Sequence, residues 1–255
     1  MSDPADPWIH HLAHRALQRS SDDLVRSLER TSGADQCRGR ALVRWFGGFG
    51  AVVDDLVTIE DRVVFPFLAA RVPTYHLHAD QVRSDHDQLR RLVRATGTAL
   101  DHLAKDRLAK DRLAKDRLAK DRLATDRRAT DRRATDRRAT DGRATGPGTT
   151  NWQDAVHAAA ELRALLVDHL DLEDQDVLPL FERHVTADEY DVLLRRALAT
   201  VPRRRQPFAL AWLAHDLDPV ELDRARTAAG PVARSLWRVA RGPYRHLVAA
   251  ALDRR

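Results

Sequence analysis

Two stretches of the chain set a glutamate and an aspartate side by side at one fixed distance ahead of a proline. The first is Glu60-Asp61-Arg62-Val63-Val64-Phe65-Pro66, the second Glu173-Asp174-Gln175-Asp176-Val177-Leu178-Pro179. In both, a large apolar residue directly precedes the proline. Proline inside a helix costs about 3 kcal/mol or more unless something compensates. Its recurrence at the same offset from the same acidic pair therefore marks a device rather than chance. In the second stretch, His169 stands one helical turn ahead of Glu173. Four residues rotate a helix by about 400°, so ring and carboxylate leave the same face. His-x-x-x-Glu on one helix can hold one metal or share in a bridged pair, because the carboxylate has two oxygens to offer. Imidazole plus carboxylate without thiolate suits iron, manganese or zinc, and iron is the natural candidate.

Helices must position these residues. Ala, Leu, Arg and Asp dominate, and aromatics reach only 5%, a composition that favours helix over sheet. No useful length of the chain alternates with period two. Asp6-Pro7 reads as a cap followed by proline at the first helical position, opening a helix to about Gly33. A second helix runs from about Gln36 to Ala70, and a third starts near Ala79. A fourth opens at Asn151 and continues to about Arg183. Thr186-Ala-Asp-Glu189 is a capping box that opens a fifth. Beyond Pro202 lie short helical pieces around Ala211, Leu222, Leu236 and Val248. Trp212, Trp237 and Tyr244 are expected to dock this tail onto the rest. Trp8, Trp45, Phe46, Phe65 and Phe67 read as core. Gly47-Gly48-Phe49-Gly50 follows no strand, so it marks close helix packing rather than a phosphate loop.

Between the third and fourth helices lies a tandem pentapeptide repeat. LAKDR occurs four times from Leu103, then decays through LATDR and RATDR to RATDG at Gly142. A five-residue step sprays Leu103, Leu108, Leu113, Leu118 and Leu123 around a helix axis, so no apolar stripe forms. The segment from Leu103 to Gly146 carries 15 Lys+Arg against 8 Asp, whereas the rest of the chain carries 28 basic and 30 acidic residues. The formal net charge of +5 thus belongs to the insertion. Interspersed aspartates dilute its field, so specific nucleic-acid binding is not expected. The expected organisation is bundle helices one to three over 1–102, the insertion over 103–148, helix four and its successor over 149–200, and a helical extension over 201–255.

The chain resembles the hemerythrin-like, or HHE cation-binding, family over roughly residues 8–200. The resemblance rests on Asp168-His169-Leu170-Asp171-Leu172-Glu173-Asp174 through Pro179, and on Ile59-Glu60-Asp61 through Pro66. It implies an all-α, up-down four-helix bundle with a histidine on helix one, His-x-x-x-Glu on helix two, a histidine on helix three and His-x-x-x-Glu on helix four. His14, Glu60, His86, His169 and Glu173 match that ligand set, and Glu60 and Glu173 fall on the family's bridging carboxylates. One position departs: Leu56 stands where helix two should carry its histidine. Asp55 and Asp54 lie off the face of Glu60, so neither substitutes. His10 shares a face with His14 and is a possible additional ligand.

The resemblance implies a non-haem iron protein, two-iron if the site is complete, that binds or senses dioxygen, peroxide or nitric oxide. A metal-depleted bundle serving as an interaction or scaffold module is the alternative from another class, favoured by Leu56. No separate general base is evident, so a hydrolytic zinc enzyme is not expected; a binding protein is favoured over an enzyme, and that question stays open. One cysteine, Cys37, excludes an internal disulfide and points to a reducing compartment. The acidic N-terminus is no signal peptide, and no apolar run approaches the roughly 20 residues that span a bilayer. A cytoplasmic protein is expected; its oligomeric state is open.

Overall fold

The computed structural model describes residues 3–30, 36–130 and 150–252. Among the described residues, nine α-helices make the frame: α1 (Trp8–Arg30), α2 (Gln36–Ile59), α3 (Phe65–Ala69), α4 (His76–Thr130), α5 (Thr150–Leu172), α6 (Leu178–His184), α7 (Ala187–Thr200), α8 (Gln206–Leu213) and α9 (Pro219–Leu252). Among the described residues there is no strand, only an isolated bridge between Pro4 and Thr186. No helix there is long and apolar enough to cross a membrane.

Helices α1, α2, α4 and α5 form the bundle, packed in the order α1–α5–α4–α2. The remaining side is taken by α8 and α9, each of which touches both α1 and α2. Each bundle helix sends a stripe of apolar residues inward, including Leu24 and Leu28 of α1, Trp45 and Phe49 of α2, Leu89 and Leu100 of α4, and Leu162 and Leu166 of α5. A second cluster closes the end of the bundle where the two prolines lie, built on Phe65, Leu68, Tyr75, Leu178, Phe181 and Tyr190. This second cluster matters most for function, because it roofs the acidic pairs.

The local signals act as expected at several points. The Asp6 side chain accepts the Trp8 amide at 3.1 Å and so caps α1. At α7 the Glu189 amide donates to Thr186 Oγ1, and the Thr186 amide donates to the Glu189 carboxylate. Two glycines serve packing. A Cβ on Gly48 would sit 2.3 Å from the Phe208 ring, and one on Gly50 would sit 2.9 Å from Val93. Gly48 is therefore what lets the C-terminal extension approach α2. Trp212 and Tyr244 dock that extension as expected: both join the main core, and Trp212 Nε1 donates to Ser20. Trp237 does not; it lies partly exposed on the outer face of α9.

Three expected boundaries shift. The third bundle helix starts at His76, a short 3-10 turn over Pro73–Tyr75 leading into it. The tail pieces around Leu222, Leu236 and Val248 form two helical limbs within α9, one up to Gly230 and one carrying both Leu236 and Val248, separated by the non-helical backbone of Gly230 (φ 73°) just before Pro231. Leu103, the first repeat leucine, is buried in the core, whereas Leu113 and Leu118 are about 60% exposed. The repeat thus adds to the core where it leaves the bundle and then runs into solvent as the continuation of α4. Its Thr/Arg/Gly part beyond Thr130 lies outside the described residues.

Candidate metal centre

The two proline-containing stretches, read from sequence as continuous helix, each hold one turn of π-helix: Glu60–Val64 between α2 and α3, and Glu173–Val177 between α5 and α6. In both, the closing amide reaches five residues back: Phe65 N–H to the Glu60 carbonyl, Leu178 N–H to the Glu173 carbonyl. The prolines follow in the first turns of α3 and α6, where a missing N–H costs least. The wide turn is the compensation that the prolines demand. It also begins each time on the glutamate, and turns of this kind concentrate at functional sites.

Each glutamate–aspartate pair grips one histidine from another helix. On the first, His86 of α4 presents Nε2 to Glu60 Oε2 at 3.3 Å and donates from Nδ1 to Asp61 Oδ1 at 2.7 Å. On the second, His14 of α1 presents Nε2 to Glu173 Oε2 at 3.3 Å and donates from Nδ1 to Asp174 Oδ1 at 2.8 Å. His169 lies with Nε2 3.5 Å from Glu173 Oε1 and Nδ1 3.5 Å from Asp85 Oδ2. His14, Glu60, His86, His169 and Glu173 are all buried. One donor atom from each of Glu60, His86, His169 and Glu173 lies within 4.8 Å of the others. His14 attaches to this group through Glu173.

The donors are left unused. His14 Nε2, His86 Nε2 and Glu173 Oε1 are buried with no hydrogen-bond partner, although unsatisfied buried polar atoms are costly. An aspartate on Nδ1 fixes the ring so that Nε2 points inward, as metal-binding histidines require. Five buried imidazole and carboxylate side chains, with these three unpartnered nitrogen and oxygen atoms among them, therefore fit a metal cation.

Electrostatics agree. Burial alone lowers the His14 pKa, but Asp174 and then Glu173 overcome it and hold it raised at about 10. The same contest leaves His86 at about 9, with Asp61 and Glu60 prevailing over burial. Burial, followed by the Glu173 charge, pushes Glu60 up. Glu173 is held down despite burial by His14 and His169. Without a cation, protons on the histidines balance the carboxylates, a role that positive metal charge can take over.

Other singled-out residues fall around this centre. His10 turns to Tyr190, its Nδ1 2.6 Å from the hydroxyl, and its ring stacks on Phe181. Its ring centroid is 6.5 Å from that of His14, and it is not in the group of four. Leu56 is partly buried against the main core. Asp55, with Asp54 close by, pairs instead with Arg205 of the C-terminal extension. Sequence reasoning missed Asp85 as a partner for His169. Asp85 is itself held by Gln81, which donates to Oδ1 at 2.7 Å. The Asp85-His86 dipeptide was visible, but only the packing of α4 on α5 sends the two side chains to different partners. Arg90, which donates to Asp61 Oδ2 at 2.8 Å, was also missed.

Bundle and buried donors together define a helical protein with a buried His/Glu group fitted to hold a metal ion. Residues 9–121 match the family model of the hemerythrin HHE cation-binding domain, and over that span the chain is similar to this family. The match holds His14, Glu60 and His86 and ends before His169 and Glu173, which the fold brings to the same place. Comparison with curated proteins and with solved structures finds no match.

Proposed function

We propose that this chain is a hemerythrin-like non-haem iron protein that binds or senses dioxygen, peroxide or nitric oxide. The observation that carries the reading is the twin grip: two buried histidines locked by aspartates, each with an unpartnered Nε2 beside a buried glutamate. In this reading His14, His86 and His169 are terminal ligands, while Glu60 and Glu173 bridge or chelate. Iron held there supplies reversible redox and small-ligand binding, with manganese or zinc as less fitting occupants. The protein's own contribution is to orient. Asp61 and Asp174 fix the His86 and His14 rings, Arg90 holds Asp61, and the Phe65 ring, stacked 5.7 Å from His86, covers the site on one side. Its single cysteine suits a reducing cytoplasm.

Leu56 favours the competing reading, a bundle that has lost its metal and serves as an interaction module. Metal analysis of anaerobically purified protein, followed by optical spectra before and after oxygen, separates the two. Stoichiometric iron with a spectrum that responds to oxygen supports the proposal. Absence of stoichiometric metal from protein refolded or expressed with iron supply overturns it.

A further inference from the structure

The outer face of α9 carries a second cluster of chemistry, far in sequence from the ligands and outside the family match. From Arg224 to Leu252 the chain holds six arginines and no acidic residue. Four of them, Arg226, Arg234, Arg238 and Arg241, line a surface groove of about 240 Å³ with Trp237. Arg234, Arg238 and Arg241 follow one another at spacings of four and three, so they share one face of the helix. Arg226 belongs to the limb before the bend. The left-handed backbone at Gly230 and the following Pro231 fold that limb so that the Arg226 guanidinium lies 4.3 Å from the Trp237 ring centre. Arg241 lies 5.2 Å from the same ring.

The tryptophan positions these cations without neutralising them, because a cation–π contact leaves the guanidinium charge in place. Nearby arginines are different: Arg15 pairs with Glu221, and Arg224 with Asp6. Among the described residues, none of the four groove arginines meets a carboxylate. Four like charges converging on one groove repel each other, and a multiply charged anion relieves that repulsion. Guanidinium forks match phosphate oxygens in pairs.

We propose that this groove is a binding site for a compact chain of linked phosphates, as in an inorganic polyphosphate or the tail of a nucleoside triphosphate. Convergence on a small groove favours a compact anion over a bilayer or a nucleic-acid backbone. The Trp237 ring already carries two guanidiniums, so it is not offered to a base, and the phosphates supply the affinity. This inference stands apart from the metal centre and survives its failure.

The test is calorimetric titration of the full-length protein with inorganic tripolyphosphate and with ATP at low ionic strength. Arg238→Ala is the groove variant, and Arg245→Ala is the control, an exposed arginine of the same helix outside the groove. Both variants are surface changes, and equal helical content checks that each is folded. One-to-one binding is expected, with the two ligands within about threefold of each other. Arg238→Ala should weaken it about tenfold, in line with loss of a charge-assisted hydrogen bond, and Arg245→Ala less than twofold. Equal losses in the two variants mean diffuse charge and overturn the site. So does failure of tripolyphosphate to bind, including where vesicles containing phosphatidylglycerol bind instead.

Discussion

The two glutamate–aspartate segments are near twins in backbone and near opposites in what precedes them. Both begin a π turn on the glutamate, both follow it with proline, and both grip a histidine from another helix at matching distances: 3.3 and 2.7 Å for His86, 3.3 and 2.8 Å for His14. One turn upstream the likeness ends. The second segment places His169 there, which meets Glu173; the first places Leu56, which joins the apolar core. The lesson is that the backbone device and the ligand set are separable. A π turn is held by its buried glutamate and its apolar roof, neither of which needs a histidine on the preceding turn. A ligand can therefore be lost from one half without disturbing the geometry of the other.

The largest expected effect exploits that imbalance. Among the described residues, Glu173 is ion-paired with both His14 and His169, and Glu60 with His86. Glu173→Gln should abolish stoichiometric metal binding, whereas Glu60→Gln should weaken it without abolishing it. Metal content after dialysis against a graded chelator reads the difference. Equal losses mean that the two glutamates share the metal evenly and that Leu56 leaves no asymmetry.

Restoring the missing ligand is the next test. Leu56→His should raise iron occupancy and move the oxidised spectrum toward a two-iron centre. In the metal-free protein it exchanges an apolar contact for a polar group without partners, at about 1–3 kcal/mol. Iron should recover that loss, because binding to the native state adds to stability. A melting temperature lowered equally with and without iron removes position 56 from the site.

The twin grips also predict a pH dependence. His14 and His86 are raised from 6.5 to about 10 and about 9. A raised histidine contributes stability in full below its unfolded pKa and loses it as pH rises through the folded value. The metal-free protein should therefore melt progressively lower between pH 7 and 10. Metal needs the unprotonated rings, so the melting increment from iron should grow over the same range. On the acid side the signs reverse: Asp61 and Asp174 are held down by their histidines against the effect of burial, and their contribution disappears below about pH 4. A metal-free melting temperature flat from pH 7 to 10 contradicts the grips.

Much of this centre was legible in the sequence, and the reasons are local. His169 and Glu173 share a helix face by spacing alone, and the repeated offset from acid pair to proline marked both stretches as one device, though each was read as continuous helix. The kind of interruption was not legible, because a π turn depends on what its ends are packed against. The roles of Asp61 and Asp174 followed only once α4 and α1 brought His86 and His14 beside them. His10, equivalent to His14 by face, is diverted by Tyr190 of α7, a contact 180 residues away in sequence. Trp237 reads as a docking residue by type, yet the bend at Gly230 leaves it outside. Long-range partners decide such cases, and periodicity carries no information about them.

The smallest effect tests whether the twins are equivalent. Pro66 and Pro179 each stand in the first turn after a π turn. Substituting alanine restores an N–H, which gains a backbone hydrogen bond, but it also frees the unfolded chain and so gives back some stability. The two contributions oppose, and each is on the order of 1 kcal/mol. The wide turn itself should persist, because Glu60, Val64 and Phe65 in one segment and Glu173, Val177 and Leu178 in the other are all buried. Closing it into a regular helix would swing the glutamate about 100° away from its histidine. Pro66→Ala and Pro179→Ala should therefore change stability by less than about 1 kcal/mol, by the same amount, and leave metal content untouched. Loss of metal from either variant makes its proline the element that holds the turn open. Loss from only one makes the two segments unequal in their backbone as well as in their ligands.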